Sequence, residues 1–236
     1  MVGWLRWSGE RGFFPKLCKE RPLGLSVLTA ALPAGKPRHR LAQGATALRR
    51  RGVRRVVLAP GLGDSGTIAA LGLQPVDPLP LCRAMGAQLA LTRLKDIPLR
   101  ERRVALRGEK ADPVALALAQ TLCPQTGALL LDFDRGGEEL SDYLHRRYGA
   151  APLTLGNAPP PQVTLELGPR ANQSTLPGTL KLWGEPDLGG LELWCDLPIP
   201  ADLPRLEAMA LLWEAGRMPL SAFQVRNFGH SHEEIP

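Results

Sequence analysis

The sequence lacks the residue patterns that mark several common catalytic and metal sites. Its four cysteines are far apart and never form a Cys-x-x-Cys pair, so neither a zinc site nor a redox dithiol is indicated. No serine stands in a G-x-S-x-G elbow, and of the four histidines only His39 and His145 lie inside the segment expected to fold. No catalytic residue and no metal ligand is therefore predicted, and whether the protein is an enzyme stays open.

Long hydrophobic runs are absent as well. No run approaches the roughly 18 apolar residues that span a bilayer, and charges interrupt the first residues where a secretory signal would be apolar. We therefore expect a cytoplasmic protein without membrane contact. Aromatic residues make up only 5% of the 236 residues, but 44% are hydrophobic, which is enough to bury a core in one large domain or two small ones.

Acidic residues are fewer than basic ones, and the formal net charge is +6. This excess allows an acidic partner, such as a nucleic acid or a phosphorylated small molecule. The densest basic cluster lies between Arg38 and Arg55, a segment without aromatic residues that could stack on bases. Most of these cations fall at a predicted helix carboxyl end, where they stabilise the helix dipole. Nucleic acid is therefore not an expected partner.

A parallel α/β pattern is the clearest feature that is present. Between Arg103 and Leu155, apolar strand segments near Val104, Leu129 and Leu153 alternate with helices predicted over residues 112–123 and 138–148. This βαβαβ order places every strand-to-helix loop on one edge of the sheet. The predicted fold class is α/β, a Rossmann-like three-layer arrangement with a mainly parallel sheet and a smaller β-rich carboxyl-terminal extension.

Four segments are predicted along the chain. Residues 1–22 form an arm or edge hairpin, residues 23–97 a first α/β half, residues 98–157 the βαβαβ second half, and residues 158–236 the β-rich extension. The first half contains strands over 23–32 and 53–59 and helices over 38–51 and 77–94. The extension contains short strands over 163–167, 179–183 and 191–195, one helix over 203–215, a strand over 222–225 and a flexible tail, which includes the His-Ser-His run.

A glycine-rich loop follows the strand over residues 53–59 and matches G-x-G-x-x-G. In such a loop, backbone amides and a helix amino terminus can hold a pyrophosphate. The helix after it is expected to be short because Gly72 and Pro75 follow, so a plain glycine-rich turn is the competing interpretation. The candidate binding residues are Gly61, Gly63, Asp64, Ser65 and Gly66.

Two further loops follow strands of the second half and should face the same crevice. The Gly136-Gly137 step leaves room for close approach of an anion, and Asp132 or Asp134 could accept hydrogen bonds from ribose hydroxyls. Ordinary helix caps and tight turns use the same residue types, and this remains the alternative. The second of these strands is expected to end at Asp132. The candidate residues of the two loops and of this strand end are Arg107, Gly108, Asp132, Asp134, Arg135, Gly136 and Gly137.

The leading functional hypothesis is a protein that binds a phosphate-bearing or nucleotide-like ligand at the carboxyl edge of the strands. The sequence does not identify a cofactor, although the loops allow a nucleotide or dinucleotide. An NAD(P)-dependent oxidoreductase is the first alternative. In the second alternative, the amino-terminal aromatic residues and the basic helix dock a partner protein. Architecture alone does not separate these hypotheses, because one fold supports many functions.

Overall fold

The computed structural model describes residues 1–62, 65–154, 159–170, 176 and 178–227. These residues form two compact units, each built from two pieces of the chain. The first unit comprises Met1–Pro78 and Cys195–Pro219, and the second comprises Leu79–Trp194 and Leu220–Pro236 as far as it is described. The segment boundaries proposed from the sequence stay a prediction.

The first unit contains one five-stranded sheet. Its strands are β1 (Val2–Trp7), β2 (Lys16–Glu20), β3 (Val27–Leu32), β4 (Arg55–Leu58) and β5 (Gln74–Pro75). They lie in the order β2-β3-β1-β4-β5, and every pair of neighbours is parallel except β2 and β3. The chain order reverses at β1, because β3 lies on one side of it and β4 on the other.

The expectation of an arm or edge hairpin over residues 1–22 is wrong for β1. This strand lies in the middle of the sheet, and Trp4 and Leu5 are only 2% and 0% exposed. β2 is an edge strand, but it pairs with β3 and not with β1. The burial of Trp4 and Leu5 is a strong driving force for the central position, since apolar side chains of this size gain free energy when they leave water.

Three helices belong to the first unit: α1 (Pro37–Arg50), α2 (Ser65–Ala70) and α7 (Arg205–Glu214). In α1, Leu41, Ala45 and Leu48 recur at helical spacing and are buried in the core. Gly44 allows α1 to approach the sheet closely, because a Cβ atom there would lie 2.5 Å from the Cδ2 atom of Leu32. α1 confirms the helix predicted over 38–51, but it begins and ends one residue earlier, and Gly52 lies just beyond its end.

The second unit contains a five-stranded, fully parallel sheet and a two-stranded antiparallel one. The parallel strands are β6 (Arg103–Lys110), β7 (Ala128–Arg135), β8 (Leu153–Thr154), β9 (Val163–Glu166) and β10 (Thr179–Lys181), in the order β10-β9-β6-β7-β8. The antiparallel pair is β11 (Leu191–Trp194) and β12 (Gln224–Asn227). The helices are α3 (Leu79–Ala84), α4 (Gly86–Arg93), α5 (Pro113–Leu122) and α6 (Gly137–Tyr148).

The predicted α/β class and the βαβαβ pattern are confirmed, but two details differ. β9 and β10, expected in the extension, extend the parallel sheet; the three residues Val163, Thr164 and Leu165 are all buried, as is typical of strands covered on both faces. The single helix expected over 77–94 is divided at Met85 into α3 and α4. Glycine at position 86 has low helix propensity, which favours a break there.

Candidate ligand-binding site

The carboxyl edge of the parallel sheet in the second unit carries most of the sequence-predicted residues. From β6 the chain proceeds to β7 and β8 on one side, and β9 and β10 lie on the other side. The strand order therefore reverses between β6 and β9. In open α/β sheets, ligands bind outside the carboxyl ends of the strands near such a reversal.

A row of three charged residues crosses this part of the sheet. Arg107 on β6 stands in register with Asp132 on β7 and with Glu166 on β9. Its Nε atom lies 3.1 Å from Oδ2 of Asp132, and its Nη1 atom lies 3.8 Å from Oε1 of Glu166. Arg107 is only 5% exposed. A guanidinium buried this deeply requires charge partners, and the two neighbouring strands supply them.

Arg170, which follows β9, pairs with one of these carboxylates, Asp132, and with a further one, Asp134. Its guanidinium pairs with Asp132 through Nη1 and donates from Nη2 to Oδ1 of Asp134 over 2.8 Å. Burial works to lower the pKa of Arg170, but the hydrogen bonds to Asp132 and Asp134 outweigh it and raise the pKa above the usual arginine value. Arg170 therefore stays charged, and Asp132 is held between two guanidinium groups.

An open cleft of about 450 Å³ lies beside Asp132, between the ends of β7 and β8 and the first turns of α6. Three carboxylates and two hydroxyl side chains contribute to its lining, together with apolar groups. The lining residues are Leu131, Asp132, Phe133, Gly137, Glu138, Ser141, Asp142, Pro152, Leu153 and Thr154. The cleft is thus rich in hydrogen-bond acceptors at the edge where the parallel topology favours ligand binding.

The amino terminus of α6 borders this cleft. Gly136 precedes the helix with a φ of +78°, a left-handed conformation that glycine adopts at little cost. No side chain caps the first turn, and Glu138 and Glu139 lie within it. Their negative charges interact favourably with the helix dipole, so this helix end already has anionic groups close to its free amides.

The turn after β6 is arranged differently. The carboxylate of Asp112 accepts a hydrogen bond from the amide of Ala115 over 2.8 Å and caps α5. Asp112 also lies 3.6 Å from Arg83, measured between Oδ2 and Nη1. In a dinucleotide-binding fold, the pyrophosphate would approach this helix end. The Asp112 carboxylate therefore places a negative charge at the start of α5, where it would repel a pyrophosphate.

The glycine-rich loop belongs to the first unit, where it follows β4. Gly61 has a φ of +76°, and Gly66 lies within α2. Gly63 and Asp64 lie outside the described residues, as does the side chain of Ser65. α2 has six residues, as short as the sequence predicts. The helix ends at a turn where the guanidinium of Arg49 donates to the carbonyl oxygen of Leu71 over 3.0 Å.

The expectation that Arg107, Gly108 and Arg135 stand in loops is wrong, and the strand expected to end at Asp132 continues beyond it and includes Asp134. β6 continues to Lys110 and β7 to Arg135, since the strands keep pairing beyond their apolar parts. A Cβ atom on Gly108 would lie 3.2 Å from the amide nitrogen of Gly168, so Gly108 serves close strand packing. Arg135 is exposed and pairs with Glu109. Gly136 and Gly137 do stand at the start of α6.

Sequence reasoning missed several residues of this edge. Glu166 and Arg170 lie far from Asp132 in sequence, and only the strand order brings them to it. Glu138, Ser141 and Asp142 are at helical spacing behind the Gly-Gly step, and this spacing was the signal that could have found them. The His-Ser-His run of the tail lies outside the described residues.

Two further findings concern metals and membranes. Among the described residues, no group of three or more histidine, cysteine, aspartate or glutamate side chains is placed to hold a metal ion. Within the same part of the chain, no helix combines the length and the apolar character needed to cross a bilayer.

The chain matches no protein-family model and no curated protein sequence. Among solved structures it is similar to the crystal structure of L-tryptophan dehydrogenase from Nostoc punctiforme, with 12% sequence identity and a TM-score of 0.30. The similarity covers 60% of this chain and 42% of the dehydrogenase chain, so this chain spans less than half the length of that protein. The α/β class assigned above is given by the strand order and the helices of the chain itself.

Proposed function

We propose that this protein binds a nucleotide-like small molecule whose hydroxyl-bearing, nucleoside part enters the cleft beside α6. The observation that carries the proposal is the set of three carboxylates, Asp132, Glu138 and Asp142, in one cleft at the carboxyl end of β7. An acidic residue at the end of the second strand of a Rossmann-type unit is the group that accepts hydrogen bonds from ribose. Asp132 lies near this position, three residues before the last residue of β7, and β7 directly follows β6 along the chain.

The lining chemistry favours hydrogen-bond donors on the ligand. Ionised carboxylates only accept hydrogen bonds, so ribose hydroxyls and amino groups of a base are suited to the cleft. A phosphate inside it would face like charges, and the α6 amino terminus already has Glu138 and Glu139 beside it. The phosphates of a nucleotide-like ligand would therefore extend away from the cleft.

Arg107 and Arg170 act as positioning residues in this proposal. Both guanidinium groups pair with Oδ2 of Asp132, which restrains the orientation of the carboxylate before a ligand arrives. Preorganisation of this kind lowers the entropy that binding must remove. The cleft volume of about 450 Å³ falls within the range of small-molecule sites and suits a nucleoside.

The first experiment is a thermal-shift screen of the full chain with adenosine, guanosine, cytidine, uridine, their monophosphates, NAD and ribose 5-phosphate. A ligand at about 100 times its dissociation constant adds about 2.7 kcal/mol to the free energy of unfolding. We expect nucleosides and nucleotides with the same base to raise the melting temperature, since the nucleoside part makes the contacts. The NAD trace tests the oxidoreductase alternative, which the Asp112 cap at α5 disfavours.

Two adjacent glutamates provide a matched pair of variants. Glu138→Gln removes a charge from the cleft, whereas Glu139→Gln removes the same charge from the same helix turn outside the cleft lining. Because a hydrogen bond to a charged group contributes about 1.5–3 kcal/mol, Glu138→Gln should weaken binding about tenfold or more. Glu139→Gln should bind as the wild type does. Equal affinities of the two variants, or no shift with any nucleoside, would contradict the proposal.

A further inference from the structure

Two adjacent phenylalanines stand exposed on the loop between β1 and β2 of the first unit. Phe13 is 82% exposed and Phe14 is 80% exposed, whereas Trp4 on the preceding strand is buried. Large apolar side chains that face solvent side by side mark surfaces that bind a partner. The two rings are therefore the starting point for a second site, separate from the cleft of the second unit.

Neighbouring segments hold this loop in place. The guanidinium of Arg40, on α1, donates to the carbonyl oxygen of Gly12 over 3.1 Å and also to that of Phe13. The amide of Ala34 donates to the carbonyl oxygen of Glu10 over 3.1 Å. These bonds tie the loop to the segment between β3 and α1, so the backbone that carries the rings has a defined position.

Basic residues are frequent in the loop that carries the rings and in the segment to which this loop is hydrogen-bonded. Segments 8–16 and 33–40 together carry five lysine or arginine residues and one carboxylate, that of Glu10. The first turn of α1 contains no acidic residue, although acidic residues are the ones that the helix dipole favours there. We define the aromatic-basic surface as the exposed side chains of Arg11, Phe13, Phe14, Lys36 and Arg38.

The fold changes the sequence argument about nucleic acids. In the sequence, no aromatic residue lies within the basic segment from Arg38 to Arg55. In the folded first unit, the bonds of Arg40 bring the Phe13 loop to the start of that segment. Exposed cations for phosphates and exposed rings for bases, the two elements of single-strand binding sites, are thus carried by two segments that are hydrogen-bonded to each other.

We propose that the aromatic-basic surface binds single-stranded nucleic acid, with bases stacked on Phe13 and Phe14 and phosphates bound by Arg11, Lys36 and Arg38. Rings on a fixed backbone favour stacking on bases, which requires a defined ring position. Insertion into a bilayer would instead require a large apolar surface, and two side chains provide only a small one. Stacking tolerates any base, so the surface is expected to show little sequence preference.

Fluorescence anisotropy with the full chain tests this proposal. The probes are labelled oligothymidylate and oligouridylate of about 12 nucleotides, a length within the site sizes typical of such proteins. Both should bind, and the logarithm of the affinity should fall linearly with the logarithm of the salt concentration. The double variant Phe13→Ala with Phe14→Ala should bind at least about tenfold more weakly, whereas Phe13→Tyr with Phe14→Tyr keeps the rings and should bind as the wild type does.

A matched pair of charge variants separates this surface from the general positive charge. Arg11→Ala with Arg38→Ala removes two exposed cations of the surface, and Arg50→Ala with Arg51→Ala removes two exposed cations near the other end of α1. The first pair should lower the salt slope by about 0.7 for each lost phosphate contact, and the second should leave it unchanged. Melting curves of all variants confirm that these exposed substitutions preserve the fold.

Three outcomes would overturn the proposal. Affinity for a duplex of the same length that equals the single-strand affinity, with no effect of the phenylalanine variants, would show phosphate binding alone. Equal effects of the two double arginine variants would show that the oligonucleotides bind through the overall positive charge of the protein and not through this surface. Binding to phosphatidylcholine–phosphatidylserine vesicles that depends on the two phenylalanines, without binding to either oligonucleotide, would assign the surface to a membrane. None of these outcomes bears on the nucleoside cleft, which is tested by its own variants.

Discussion

At the residue scale, Arg107 shows how a charged side chain becomes part of a strand interior. A cation that is 5% exposed is costly to desolvate unless carboxylates stand close to it. The in-register neighbours Asp132 and Glu166 meet this requirement on both sides. The same pairing leaves Asp132 with a fixed orientation toward the cleft, so the arginine that stabilises the sheet edge also prepares the proposed binding residue.

Glu207 provides a residue-scale prediction about pH. Burial raises the pKa of this α7 carboxyl, and a hydrogen bond to its own backbone amide opposes the rise only in part. The native state therefore binds the proton more tightly than the unfolded state does, and the free energy of unfolding falls as the pH rises through the raised pKa. Glu207→Gln should be more stable than the wild type at neutral pH, with an advantage that shrinks as the pH falls through the raised pKa toward 4.5, the ordinary value for this group, and stays constant below it.

Urea unfolding of both proteins across this pH range measures the difference. Glu10→Gln serves as the control, because Glu10 is exposed in the same unit and its variant should track the wild type at every pH. A Glu207→Gln variant that is less stable than the wild type at neutral pH would show that the ionised carboxylate makes a favourable contact that outweighs its burial.

At the element scale, the two helices of the βαβαβ pattern begin in different ways. α5 starts with a side-chain cap from Asp112, whereas α6 starts at Gly136 without one. A helix with a carboxylate bonded to its first turn has fewer free amides for a ligand. The difference explains why the proposed ligand lies beside α6 and not at the turn after β6.

The Asp112 cap gives a prediction about stability. Asp112→Ala removes the acceptor for the Ala115 amide and should lower the free energy of unfolding by about 1 kcal/mol. Asp112→Asn keeps a side-chain oxygen that accepts the same hydrogen bond and should lose less. Both variants lose the charge that faces Arg83, so their difference isolates the cap. Chemical denaturation of the two variants measures it, and equal losses would assign the effect to the charge alone.

At the scale of the whole molecule, hydrogen exchange tests the strand orders. β1 and β6 each have a parallel neighbour on both sides, so their amides should exchange more slowly than those of the two-residue strands β5 and β8. Peptide-resolved deuterium uptake measures this difference. Fast exchange across residues 2–7 would restore the sequence expectation of a loosely packed arm in place of a central strand.

How much of the fold is predictable from the sequence depends on the local pattern. The helices over 113–122 and 137–148 and the strands around them follow from the sequence pattern. In the helices, apolar residues recur at helical spacing, and in the strands they form short continuous runs. β1 was missed because its buried residues, Trp4 and Leu5, stand between Gly3 and Arg6 and form no long apolar run. Its central position depends on pairing with β3 and β4, which no local pattern encodes.

The candidate site was less predictable than the fold. Asp132 and the Gly136-Gly137 step were found because they follow an apolar strand, and turn residues at such places are visible in a sequence. The pairing of Arg107 and Arg170 with Asp132 was not visible, because it depends on which strands become neighbours. The charged residues after the apolar runs were interpreted as the ends of the strands. In the structure, Arg107 pairs with Asp132 and Arg135 with Glu109, and β6 and β7 stay paired through these positions.

The two pieces of each unit set an order in which the nascent chain can complete its contacts. All five strands of the first sheet have been synthesised once Pro75 is made, yet Arg6 and Arg55 pair with Asp202 and Glu214, which are synthesised only after the second sheet. β11 likewise cannot pair until β12, at the end of the described chain, has been synthesised. Neither unit can complete its contacts during early translation, so the growing chain carries unpaired surfaces that favour aggregation or chaperone binding until residues 195–227 emerge.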